Sequence, residues 1–199
     1  HQQALERYKD AREYMRENHE RMREDLRFSN PADPKQWDSS ALDVRKGRPC
    51  LTFDRTNQFV AQVVNDARQN KPGIHTIPAN SQGNNDVATT LDGVIRHIEY
   101  VSRAAIAYDW AIECAARVGL GWIRLVPQVM RADTNEQEIR ILRVVDPLSV
   151  VIDPDCTEPD GNGAMWGFAE TIMSMQAFSS VEAQGVNPVV GRAKRLVPR

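Results

Sequence analysis

A chain of 199 residues with 41% hydrophobic and 26% charged residues is long enough for one domain with a real core, or one domain with appendages. The formal net charge is −2, with 25 basic residues set against 27 acidic ones, so composition supplies no strong attraction to nucleic acid or an anionic membrane. No apolar run approaches the ~20 residues that a membrane helix needs, and His1-Gln-Gln-Ala-Leu-Glu6 lacks the apolar core of a signal peptide and an initiator Met, as expected of a trimmed product.

Residues 4–27 predict a helix. Its apolar positions, Leu5, Tyr8, Met15, Met22 and Leu26, are thin among interleaved Arg and Glu. The plain expectation is a solvated surface helix. The sharper one is an arm that packs on a neighbouring subunit through Tyr8, Met15 and Met22. Residues 29–55 predict a linker, because prolines and short polar side chains forbid a long regular element. Trp37 stands alone there, as a core cap or an interface anchor. Cys50-Leu-Thr-Phe53 predicts a short strand.

A helix over 56–70 carries the apolar stripe Phe59, Val60, Val63, Val64 and Ala67, and Lys71-Pro72-Gly73 stops it. Residues 74–78 alternate as a brief strand. The strongest local pattern follows. Val87, Leu91, Val94, Ile98, Val101, Ala105, Tyr108, Ile112 and Ala115 recur in steps of four and three, with Asn85 or Asp86 as cap and Gly119 as stop. Roughly 33 residues at 1.5 Å each make ~50 Å, longer than one compact domain of this size needs. The pattern predicts either a kink or an element that spans a larger assembly.

After Gly119 the period becomes strand-like. Residues 122–130 and 138–145 flank a polar turn and predict an antiparallel hairpin. Asp146-Pro147 and Asp153-Pro154 then bracket the apolar run 148–152, which predicts a short buried strand with a stop at each end. Residues 165–175 predict another strand, and 176–183 a short helix. The fold class is α+β: long helices packed with a small antiparallel sheet or hairpin. The domains are an arm at 1–28, a linker at 29–55, a core at 56–190 and a tail at 191–199. The tail ends in Leu196-Val-Pro-Arg199, which resembles a thrombin-cleavage site and an expression scar.

The chemical motifs fail one by one. The acidic loop 153–160 has Thr157 at the fifth and Glu158 at the sixth position of an EF-hand, where glycine is needed, so a solvated loop is expected. Gly119-Leu-Gly121 and Gly161-Asn-Gly163 lack a third glycine and a following helix, and no P-loop occurs. His19, His75 and His97 have no second ligand at metal spacing. Cys50, Cys114 and Cys156 form no disulfide framework. Asp109 and Glu113 lie i,i+4 on one helix face, where paired carboxylates serve a metal-dependent nuclease; a polar or intersubunit face is the better reading. The only basic cluster is Arg192-Ala-Lys-Arg195. No catalytic, cofactor-binding or metal-binding residue is assigned. Tyr8, Met15, Met22 and Trp37 are the candidate interface residues.

The landmarks in order carry a resemblance. They are Phe28 with Gln36-Trp37, Arg48-Pro-Cys-Leu-Thr52, Asn65-Asp-Ala-Arg-Gln-Asn-Lys-Pro72, Ala115-Ala-Arg-Val-Gly119, Gly121-Trp-Ile-Arg124, Arg143-Val-Val-Asp-Pro-Leu-Ser-Val-Val-Ile-Asp-Pro154 and Trp166-Gly-Phe168. Over roughly residues 20–180 the chain resembles the N-terminal region of a portal protein of short-tailed double-stranded-DNA phages. Phe53-Asp54 departs from the pattern, where an aliphatic residue and Asn are expected. The resemblance implies a non-enzymatic, wing-like part of a ring, in full length a dodecamer, at one capsid vertex of the virion. That ring is assembled in the host bacterial cytoplasm. The implied partners are further copies, the terminase large subunit, head-completion or tail adaptor proteins, and capsid and scaffolding proteins. Double-stranded DNA passes through without sequence specificity, and no cofactor is implied. The two other hypotheses are a metal-dependent phage nuclease using Asp109, Glu113 and the acidic loop, and a stand-alone helical adaptor that binds through 4–27.

Overall fold

The computed structural model describes residues 2–30, 37–46, 48–71, 73–78, 84–130, 133, 136–158, 161–176 and 178. Within them the chain is α+β. Six helices, α1 (Gln2–Tyr14), α2 (Arg16–Phe28), α3 (Ser39–Val44), α4 (Thr56–Gln69), α5 (Asn85–Ser102) and α6 (Ala104–Val118), precede two antiparallel strand pairs. The pairs are β1 (Ile123–Val129) with β2 (Gln137–Arg143), and β3 (Val150–Ile152) with β4 (Gly167–Ala169). None of the helices is long and apolar enough to cross a membrane, among the described residues. The chain divides into two compact units, one of residues 1–20 and 148–199, the other of residues 21–147.

In the first unit α1 lies on the β3–β4 pair. Tyr8 meets Phe168 edge to face at 5.7 Å, Phe168 meets Trp166 at 5.4 Å, and the Arg7 guanidinium sits 5.9 Å from the Trp166 ring centre. Arg12 reaches both the Tyr8 hydroxyl and the Glu170 carboxylate. Such pairs favour offset and edge contacts because a ring edge is positive and its face negative. The Asp-Pro stops act differently from one another. Pro147 opens a 3-10 turn, Pro147–Ser149, so the strand expected from 148 begins only at Val150. Its missing N–H and fixed φ suit the first position of a tight turn better than a ladder. Asp153 is buried, and its carboxylate accepts the N–H groups of Asp155 at 3.2 Å and Met165 at 3.3 Å. The acidic loop, expected to be solvated, is closed at its root by that buried carboxylate. The strand expected over 165–175 is Gly167–Ala169. The helix expected over 176–183 lies almost wholly outside the described residues, as does the 191–199 tail.

In the second unit α4, α5 and α6 pack with the β1–β2 ribbon. Val60 and Val64 are the buried face of α4, whereas Phe59 and Val63 of the expected stripe are exposed. Asp54 accepts the N–H groups of Thr56 at 2.8 Å and Asn57 at 3.3 Å, capping orphan donors of α4 as the expected Asn would. Neither 50–53 nor 74–78 joins a ladder among the described residues. Thr52 instead accepts the Trp37 indole N–H at 3.0 Å. Segment 74–78 is pinned to α5: the buried Asp92 carboxylate accepts the Thr76 N–H at 2.7 Å and the Thr76 hydroxyl, and faces His75 Nδ1.

The helix expected over 4–27 is divided at Met15, and backbone bonds of helical spacing run from Met15 N to Ala11 O and from His19 N to Met15 O. The helix expected over 87–115 is broken outright. Asn84, not Asn85 or Asp86, caps α5. Arg103 then takes left-handed angles, φ 51 and ψ 45, and α6 starts at the next residue. Gly119, φ 84, stops α6 as expected. Gly121 passes so close to α6 that a Cβ there would lie 1.9 Å from the Ala111 carbonyl oxygen.

Two outcomes follow from these contacts. Gly121→Ala forces backbone apart from backbone and should destabilise the fold by about 3 kcal/mol or more; urea unfolding with an unchanged midpoint would contradict the close approach. The Thr76 hydroxyl, then its N–H, then His75 hold the Asp92 carboxyl below the ordinary 3.8. A lowered folded-state value gives stability that is present above 3.8 and lost as pH falls through the folded value. Thermal midpoints should therefore drop more steeply below that pH in the wild type than in Asp92→Asn.

Candidate functional site

The second unit turns on the corner between α5 and α6. The break frees backbone carbonyls that a continuous helix would satisfy. The N–H of Ile106 bonds Arg103 O at 3.0 Å, three residues back, so the ladder is interrupted. Val101 O is taken instead by Arg140 Nη1 of β2 at 2.8 Å, and Ser102 Oγ accepts the Ile141 N–H at 3.0 Å. Arg140 is aimed by Glu138 at 2.9 Å, which also faces His97 at 3.3 Å. Beneath this polar seam Ala104, Ala107 and Ile141 form a buried cluster with Ile98 and Tyr108 against it. The Tyr108 hydroxyl donates to Glu99 at 3.1 Å.

One wall of a cleft of about 560 Å³ is α6. Leu26, Asn57, Trp110, Cys114, Arg117 and Pro147 are among its lining residues. Trp110 is fixed by its indole N–H to Val145 O at 3.2 Å and by the Arg143 guanidinium 5.4 Å from its ring centre. Burial, with Glu113 next to it, pushes the Cys114 thiol up, so it stays protonated and serves as a small packing residue rather than a nucleophile. Asn57 Oδ1 is a buried acceptor with no donor among the described residues.

The two carboxylates suited to a nuclease do not converge on an open site. Arg68 Nε donates to Asp109 at 2.9 Å, and Arg117 donates to Glu113 through Nε at 3.1 Å and Nη2 at 3.0 Å. Each guanidinium supplies the positive charge that a metal would otherwise bring.

Of the candidate interface residues, Tyr8 spends its ring on Phe168, and Met15 and Met22 are buried. Trp37 is half-buried, with the Arg45 guanidinium 5.6 Å from its ring centre. Tyr8 and Met15 belong to the first unit, Met22 and Trp37 to the second, so the four do not form one site within either unit. The apolar surface that remains open lies elsewhere. Val87, Leu91 and Val94, at helical spacing on α5, are 55%, 48% and 49% exposed. On one face of the ribbon, Ile123, Leu125, Val129 and Ile139 are exposed around the single buried Ile141. Sequence periodicity marked the α5 residues as an apolar helical stripe without saying what covers it. It passed over Arg140 and Asp92, whose roles depend on partners 39 and 16 residues away.

The model of the family described as phage P22-like portal protein matches residues 5–181 of this chain. No curated protein matches it. If Asp109 is engaged by Arg68 rather than held for a cation, Asp109→Asn should lower stability by only about 0.5 kcal/mol, as for an exposed pair. Millimolar magnesium should leave the thermal midpoint of the wild type unchanged; a rise abolished by Asp109→Asn would restore the metal-site reading.

Proposed function

The chain belongs to the phage P22-like portal protein family, and from that premise we propose that it is a wing-like part of the conduit through which the genome enters and leaves the capsid. The family is a structural one, not an enzyme family, and its members are components of a ring in the virion capsid, with other phage proteins around it. The observation that carries the proposal is the family match over residues 5–181, nearly the whole chain. The finer assignments are our own: a dodecameric ring in the full-length protein, assembled in the host bacterial cytoplasm. We propose that this ring docks the terminase large subunit during packaging and head-completion or tail proteins afterwards, in contact with capsid and scaffolding proteins.

Two features support this reading physically. The open apolar faces of α5 and of the ribbon are the kind of surface that subunits bury against one another. The near-neutral balance, 25 basic against 27 acidic residues, suits a wall past which a duplex slides. A dense phosphate-binding surface would hold the DNA in place.

Mass photometry of the full-length protein tests both parts. Wild type should assemble into rings. Leu91→Asp with Val94→Asp, at exposed positions, should leave the circular dichroism of the subunit intact and reduce the ring fraction at least about tenfold. A wild type that remains monomeric would contradict the portal reading; a double variant that assembles normally would remove α5 from the subunit contacts.

A further inference from the structure

We propose that the bent α5–α6 corner is one of two states of a single long helix, and that the β1–β2 ribbon is the latch that holds it bent. Three observations in the second unit support this independently of the portal reading.

The corner is made without the residue that makes corners easily. Arg103 is the only non-glycine residue with positive φ among the described residues. Left-handed angles bring its Cβ against the backbone, a conformation that glycine adopts without that conflict. Nothing in the local sequence demands the break, since residues 94–118 contain neither glycine nor proline.

The break also resets the buried face. Before it, the apolar series runs Val94, Ile98, Val101. A continuous helix would extend that stripe through Ala105, Tyr108, Ile112 and Ala115. In the bent form the buried residues of α6 are Ala104, Ala107, Cys114 and Val118, and Ala105 and Ala115 are exposed. The sequence thus carries an in-register stripe that the bent form uses only in part: Ile98 and Tyr108 pack against the buried cluster, while Val94, Ala105 and Ala115 are left exposed.

The compensation for the break comes from one neighbour. Arg140 takes Val101 O, the Ile141 N–H takes Ser102 Oγ, and the Ile141 side chain fills the space by Ala104 and Ala107. The latch is itself imperfect, because Arg140 Nε is buried with no acceptor among the described residues. Straightening restores the i→i+4 ladder through 101–106, relieves Arg103 and frees the ribbon. It also lines Val94, Ile98, Val101, Ala105 and Tyr108 along one face. Two discrete packings of one element, each with its own set of satisfied groups, are what a conformational switch requires.

Pulsed electron spin resonance measures the difference. Spin labels at the exposed positions Thr90 and Ala116 are placed in the full chain after Cys50→Ser, Cys114→Ala and Cys156→Ser. In a straight helix they lie about 39 Å apart along the axis, 26 residues at 1.5 Å each. The otherwise unaltered chain should give a shorter dominant distance. Ser102→Ala with Arg140→Gln should add a population near the straight-helix value, and Arg103→Gly on top of that pair should suppress it. Identical distance distributions in all three would overturn the proposal. Should the latch variant lose its helical circular dichroism, hydrogen exchange on the wild type decides. The Ile141 amide, freed by unlatching, should exchange roughly tenfold faster or more than the slowest α6 amides. Exchange of Ile141 only at the rate of global unfolding would overturn it.

Discussion

The bond from Arg140 to the Val101 carbonyl is the constraint on which the second unit depends. A helix that stops in the middle of an unbroken apolar pattern leaves carbonyls that must find donors. The Arg103 N–H covers the Glu99 and Tyr100 carbonyls from within the chain, and the guanidinium of β2 takes Val101 O. It arrives with the Ile141 N–H beside it, so a single strand satisfies the corner's polar groups and fills its apolar underside. The position of the ribbon, the register of α6 and the exposure of α5's outer stripe follow from that capture. Gly121 is the geometric counterpart, since only a residue without Cβ lets the chain return over α6 at Ala111 and enter β1.

The first unit is held by another kind of contact. Aromatic edges and guanidinium groups join α1 to the short β3–β4 pair, and the buried Asp153 carboxylate ties the intervening loop to its own backbone. Three-residue strands bury little apolar area, so directional contacts carry a larger share of the cohesion here than in the second unit. Tyr8 is expressive of this: its ring packs on Phe168 and its hydroxyl receives Arg12.

The α+β class, the hairpin, the Gly119 stop and the order of landmarks that pointed to a phage portal protein were legible from periodicity and turn chemistry. Local signals fix such features because each depends on residues close in sequence. The length of the pattern raised a kink as one of two alternatives, but its place at Arg103 was not legible, because its cause lies in β2 and the steps of four and three continue unbroken through Arg103. The segments 50–53 and 74–78 alternate as strands do, yet alternation supplies no partner edge, and side chains of Thr52 and Asp92 fix them instead. The seam of Tyr8, Met15 and Met22 was sorted by helical face alone, which cannot tell a residue covered within its chain from one that awaits a neighbour.

The portal assignment and the arginine partners of Asp109 and Glu113 fit one picture. Asp109 and Glu113 are each paired with an arginine, Asp92 and Asp153 hold backbone N–H groups, and α5 and the ribbon carry exposed apolar residues. A structural ring subunit needs such a balance: stable folding within, adhesive faces without, and no strong field toward DNA. Electron microscopy of the full-length protein tests this most directly. Closed rings around a central channel are expected, with α5 of each subunit covered by another chain. Dispersed particles without a channel, or rings in which α5 faces solvent on every subunit, would contradict it.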